Sequence, residues 1–181
     1  EEEGEEHDEE EEVRGTAENS FVETQTLSAG VSWVGDNAFL GVAIRQQTAE
    51  YGLPGHGHEE EHGEEEEEGE EHSEEEEENP FIDLEQTRID IRGGVSVNNG
   101  FLTDVIGTLA IVDYEHTEFE APGEAGTVFA NEGVEARAEF DHEFGGFEGA
   151  FGVQFSDREF SAIGEEAFVT PTDIQNFGVF L

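Results

Sequence analysis

LSAGVSWVGDNAFLGVAIRQQ, residues 27–47, is the stretch whose reading decides the fold. Leu27, Ala29, Val31 and Trp33 alternate with Ser28, Gly30 and Ser32. In an extended chain that alternation puts apolar groups on one side and small polar groups on the other. After Gly35, Asp36 and Asn37 the pattern restarts, with Leu40, Val42 and Ile44 set against Gly41, Ala43, Arg45 and Gln47. A period of two is that of a strand, and so short a link makes the pair an antiparallel hairpin.

The same unit recurs along the chain. RIDIRGGVSV sets Ile89, Ile91, Val95 and Val97 opposite Arg88, Asp90, Arg92 and Ser96. It turns through Asn98, Asn99 and Gly100 into a strand carrying Val105, Leu109 and Ile111. A third hairpin turns at Gly145-Gly146. Val134, Ala136, Ala138, Phe140, Phe147, Phe151, Val153 and Phe155 form its apolar set, and Glu135, Arg137, Glu139, Glu148, Gln154, Ser156 and Arg158 its polar set. A seventh strand begins near Ile174.

The connections alternate between tight turns and long polar loops. This divides the chain into an acidic loop and strand entry over 1–20, hairpins over 21–50, 81–118 and 127–160, loops over 51–80, 119–126 and 161–173, and an incomplete strand over 174–181. Arg45, Arg88, Arg92, Arg137 and Arg158 all fall on the polar face. Long strands, alternating turn lengths and one face without basic groups are the features of a transmembrane β-barrel of the outer membrane, apolar side to lipid and polar side to the lumen. Trp33, Phe101 and Phe147 suit one aromatic girdle, and Tyr51, Tyr114 and Phe160 the other. A bacterial barrel needs an even strand number of about eight or more. The expectation is therefore all-β: an antiparallel arc of about seven strands from a larger barrel. A soluble sandwich would alternate in the same way, with its apolar face turned to a protein core.

Composition narrows the partners. The chain has 181 residues, 49 acidic against 6 basic, a formal net charge of −43 and no cysteine. So acidic a chain excludes a nucleic-acid partner, which needs a basic footprint, and favours cations. Thiolate metal sites and disulfides are excluded with the cysteines. Much of the acid lies in residues 1–12 and 56–78, low-complexity runs that repel themselves and cannot fill a core. The chain opens inside a glutamate run and stops within an alternating pattern, as an internal piece of a longer protein would.

Several long blocks carry a resemblance: AEYGLPGHGHEEEH (49–62), DLEQTRIDIRG (83–93), VDYEHTEFE (112–120), GTVFANEGVEARAEF (126–140) and GVQFSDREFSAIGEEAFVTPT (152–172). Together they resemble the TonB-dependent outer-membrane receptors, and among these the zinc-uptake, ZnuD-type branch. The resemblance implies a barrel of roughly 22 strands around a plug, energised by the TonB complex. Neither a plug nor a TonB box is recognisable in this chain. The resemblance also implies that the loop after Tyr51-Gly52 captures zinc through His56, His58 and His62. Here glutamate replaces most of the histidines of such loops.

The chemistry of the acidic loop agrees with cation capture. Imidazole nitrogen and carboxylate oxygen both ligate Zn²⁺, at about 2.0–2.2 Å. His56, His58, His62 and His72, with Glu59 and Glu61, are the candidate ligands, and His7 and His116 are further ones. Dense carboxylates favour protonated imidazole, so metal competes with protons here. Runs such as Glu64 to Glu68 are hard oxygen donors suited to Ca²⁺ as well. The function read from the sequence is therefore part of a divalent-metal importer, with zinc the expected cargo. The alternatives are a receptor for a siderophore or haem whose acidic loops only solvate or bind calcium, and a soluble acidic cation-binding β-protein. No catalytic constellation is legible, and an enzyme is not expected.

Overall fold

The computed structural model describes residues 16–54, 79–97, 100–164, 167 and 169–181, and every regular element among them is a strand. These are β1 (Val22–Val34), β2 (Ala38–Gly52), β3 (Phe81–Ser96), β4 (Leu102–Ala121), β5 (Glu124–Phe144), β6 (Phe147–Gly164) and β7 (Thr172–Phe180). They form one seven-stranded sheet in chain order. Each strand pairs antiparallel with the next.

Turn chemistry sets the hairpins. Gly145 and Gly146 both take positive φ, 58° and 86°, as the central residues of a two-residue primed turn must. The region 119–126, expected as a loop, is instead strand on both sides of a tight turn at Pro122-Gly123. Proline presets φ for the first turn position and Gly123 supplies a φ of 93° at the second. Register shifts at Glu118/Phe119 and Phe119/Ala121 absorb the irregularity. β6 continues to Gly164 and β7 starts at Thr172, so strand takes up both ends of the expected 161–173 loop. Asn98 and Asn99 lie outside the described residues.

The register aligns the apolar positions of successive strands. One cross-strand row reads Val31, Val42, Ile91, Leu109, Ala136, Phe155 and Phe177; the next reads Trp33, Leu40, Gly93, Gly107, Ala138, Val153 and Val179. Directly paired residues share a face, so these rows form a continuous apolar belt over the whole sheet. Much of the belt is exposed: Val31 is 74 % accessible, and Trp33, Ile44, Ile111, Phe155, Phe177 and Val179 are exposed, while Ile91, Leu109, Ala136 and Ala138 are half-buried. Along β4, Gly107, Ile111, Asp113 and Glu115 are exposed and Leu109 is half-buried on the belt side, while Thr108, Ala110, Val112 and Tyr114 on the other face are all half-buried.

Glycines aside, the buried residues Ala49, Ile82, Thr127 and Ala162 all lie on the polar face, toward the end of the sheet away from the tight turns at 35–37 and 145–146. No second layer of the described chain covers the apolar side, as it would in a sandwich. Beyond the belt the strands continue as a collar, which ends in the row Val22, Tyr51, Ile82, Glu118, Thr127 and Gly164.

Candidate functional site

The acidic excursion between β2 and β3 leaves the sheet through a closed neck. Leu53 N donates to the Pro80 carbonyl oxygen at 3.0 Å, and Gly52 N to that of Phe21 at 3.0 Å. Asn19 reaches across both: its Nδ2 donates to Pro80 O at 2.6 Å and to Leu53 O at 3.4 Å. Asn19 takes a φ of 53°, a left-handed conformation asparagine tolerates better than most side chains. Gly52 lies beneath it because any Cβ there would run into the Asn19 carbonyl. The N-terminal acidic run therefore joins the sheet at the same corner from which the second acidic run departs.

His7, His56, His58, Glu59, Glu61, His62 and His72 lie outside the described residues. His116 is described. It lies on the polar face of β4, stacked on Phe129 (centroids 4.6 Å, 12°) and edge-on to Tyr114 (5.5 Å). Its Nε2 is 4.0 Å from Glu118 Oε1, and its Nδ1 is buried without a hydrogen-bond partner. Burial against these rings pulls the imidazole pKa below its ordinary 6.5, and the Glu118 carboxylate only partly opposes this. Neighbouring Thr127, 1 % exposed, also leaves its Oγ1 unpartnered. Among the described residues no group of three or more His, Cys, Asp or Glu side chains is placed to hold a metal ion. His116 and Glu118 thus form a pair without a third ligand of that kind.

The second expected girdle is corrected by parity. Tyr51, Tyr114 and Phe160 lie on the polar face, an odd number of residues from the belt positions of their strands. Tyr114, His116, Phe129 and Phe160 instead form an aromatic cluster on that face. Trp33 and Phe147 keep belt parity, and Phe101 stacks on His142 (5.1 Å, 6°), which shares that face.

The arginines stand in rows on the polar face. Arg45 and Arg88 are in direct register, in line with Val112, Gly133 and Arg158, while Arg92, Thr108 and Arg137 share another row. Between these rows run Asp90, Ala110 and Glu135. Arg88 holds Asp90 through its Nε (2.9 and 3.0 Å) and Nη2 (2.8 Å). Arg137 donates to Glu139 at 2.6 Å and covers the Phe180 ring at 3.9 Å. Sequence reasoning finds the arginine face from alternation alone. It misses Asn19 and Thr127, whose roles come from contacts between distant segments. No family model matches the chain.

Proposed function

We propose that this chain is an arc of the wall of an outer-membrane β-barrel receptor of the TonB-dependent type. Its cargo is a divalent metal, zinc before others, and its histidine- and glutamate-rich loops gather the ion outside the cell. The observation that carries this reading is the openness of the apolar face, many of whose large side chains are exposed, while the cavities between Arg88, Arg137 and Arg158 lie on the polar face. A soluble protein would bury the apolar face.

The dimensions agree with a bilayer. From Val134 to Phe144, apolar at most belt-side positions, β5 rises about 34 Å at ~3.4 Å per residue. At a tilt of about 40° this projects to about 26 Å, against an apolar band of about 25 Å in outer-membrane barrels. Where the belt ends, the row Asp113, Glu132, Glu159 and Asp173 begins. Carboxylates side by side in register repel one another and are tolerated only in water.

In this reading His56, His58, His62 and the glutamates between them belong to an extracellular loop whose two ends, at Leu53 and Pro80, are tied together by Asn19. Dense carboxylates raise the local concentration of divalent ions, and the imidazoles add the nitrogen ligands that favour zinc over calcium.

Two measurements on the full chain test the reading. After expression with an export signal it should fractionate with outer membranes and need detergent for release; recovery in the soluble fraction rejects the barrel. The detergent-solubilised chain should bind Zn²⁺ in preference to Ca²⁺, and His56→Ala/His58→Ala/His62→Ala should weaken zinc more than calcium. Equal weakening rejects the histidines as capture ligands.

A further inference from the structure

We propose that the polar face contains a binding site for a small oxyanion, a carboxylate or phosphate group, in the trough floored by β4 and β5 between Arg88 and Arg158. The trough exists because its floor is small. Val112 and Gly133 lie between Arg88 on one wall and Arg158 on the other, all in one cross-strand row. The two arginine Cα atoms are three strand spacings apart, about 14 Å, which leaves two long side chains room to converge on one ligand. The cavity between them is about 290 Å³, near the lower end for small-molecule sites.

Its donors are unfilled. Gln86, Tyr114 and Asn131 form the next row along the same face and line the same cavity. Among the described residues none of these side chains, nor Arg158, has a hydrogen-bond or ion-pair partner. A guanidinium fork with an amide on each side and a phenol between them is a donor-rich wall with an oxyanion's complementarity.

The nearby acids do not cancel it. Asp157 borders the trough but belongs to the belt face, where its Oδ2 accepts from Gln175 Nε2 at 2.8 Å. Glu135 lines the same cavity one row away and acts electrostatically on Arg88, which also holds Asp90. Arg158 is the cation of the trough without an ion-pair partner among the described residues. The site lies on the polar face and does not depend on what covers the belt, so it stands or falls separately from the barrel reading.

The test is calorimetric titration of the full chain in an uncharged maltoside detergent with citrate, inorganic phosphate and glycerol. Citrate or phosphate should bind and glycerol should not, and the stronger of the two anions identifies the group the trough takes. Arg158→Gln should weaken binding at least tenfold. Arg92→Gln removes the same charge from the same face outside this cavity and should change it less than twofold. Gly133→Leu should block the site without altering charge; Gly133→Ala, whose Cβ would make only ordinary contact at 3.7 Å with the Asp157 carbonyl, reports on folding. Failure of both anions to bind overturns the proposal. So does equal weakening by Arg158→Gln and Arg92→Gln, which would mean diffuse attraction to a basic face.

Discussion

The side-chain amide of Asn19 donates to the Pro80 carbonyl oxygen at 2.6 Å, across a sequence separation of 61 residues. One side chain thereby closes the mouth of the acidic excursion and ties the first strand to it. Asn19→Ala should cost about 0.5–1.5 kcal/mol by removing one of the two hydrogen bonds to the Pro80 carbonyl, which Leu53 N still serves, and should also strain the positive φ. Asn19→Gly keeps the backbone and removes only the side chain, so it should cost less. Hydrogen exchange at the Gly52 and Leu53 amides should quicken in both variants; unchanged exchange would mean the neck holds without Asn19.

Adjacent residues on β2 separate the two faces. Val42 is in the belt, and Ala43 pairs with Asp90 on the polar side. In lipid vesicles Val42→Arg should cost about 2–4 kcal/mol, the range for a charge placed against hydrocarbon. Ala43→Arg, beside a carboxylate in water, should cost little. Urea unfolding of the two variants checks this, and equal costs would place neither face in lipid.

Gly152 is required by packing. A Cβ there would meet the Ala138 carbonyl and the Phe180 ring, the ring that Arg137 covers. Gly152→Ala should destabilise the β5–β6–β7 region by about 1–3 kcal/mol through overpacking. Gly107→Ala, with open space around its added methyl, should not. Unfolding midpoints of the two variants decide it.

His116 gives the collar a pH dependence of known sign. Its pKa is below 6.5 when folded and near 6.5 when unfolded. The unfolded chain therefore takes the proton first, and stability falls as pH drops below the unfolded value and through the folded one. Thermal unfolding followed from about pH 8 to about pH 5 should show this loss. His116→Phe, which keeps a ring against Phe129 and Tyr114, should reduce it; an identical profile would assign the loss to other groups.

Much of this architecture is legible in residues 27–47, because a period of two survives wherever one face of a strand differs from the other. Parity also carries Arg45, Arg88, Arg92, Arg137 and Arg158 to one face without any structure. The same parity puts Tyr51, Tyr114 and Phe160 on the polar face, although their places toward the long-loop side of the strands suggest a girdle. The 119–126 stretch is polar and glutamate-rich, which hides the Pro122-Gly123 hairpin that its local turn chemistry encodes. The Asn19 clamp is illegible for another reason: it is a contact between segments far apart in sequence, and no local pattern announces it.

The collar sets a distance with an electrostatic consequence. From Val134 to Thr127 the strand climbs about 24 Å at ~3.4 Å per residue, or about 18 Å along the normal at a tilt of about 40°. The screening length at physiological ionic strength is about 8 Å. In a bilayer, the points where both glutamate tracts are anchored would stand more than two such lengths from the hydrocarbon edge. Repulsion between phosphate-rich headgroups and these anchor points would then be largely screened, and the acid that met the headgroups directly would be the row Asp113, Glu132, Glu159 and Asp173 at the edge of the belt.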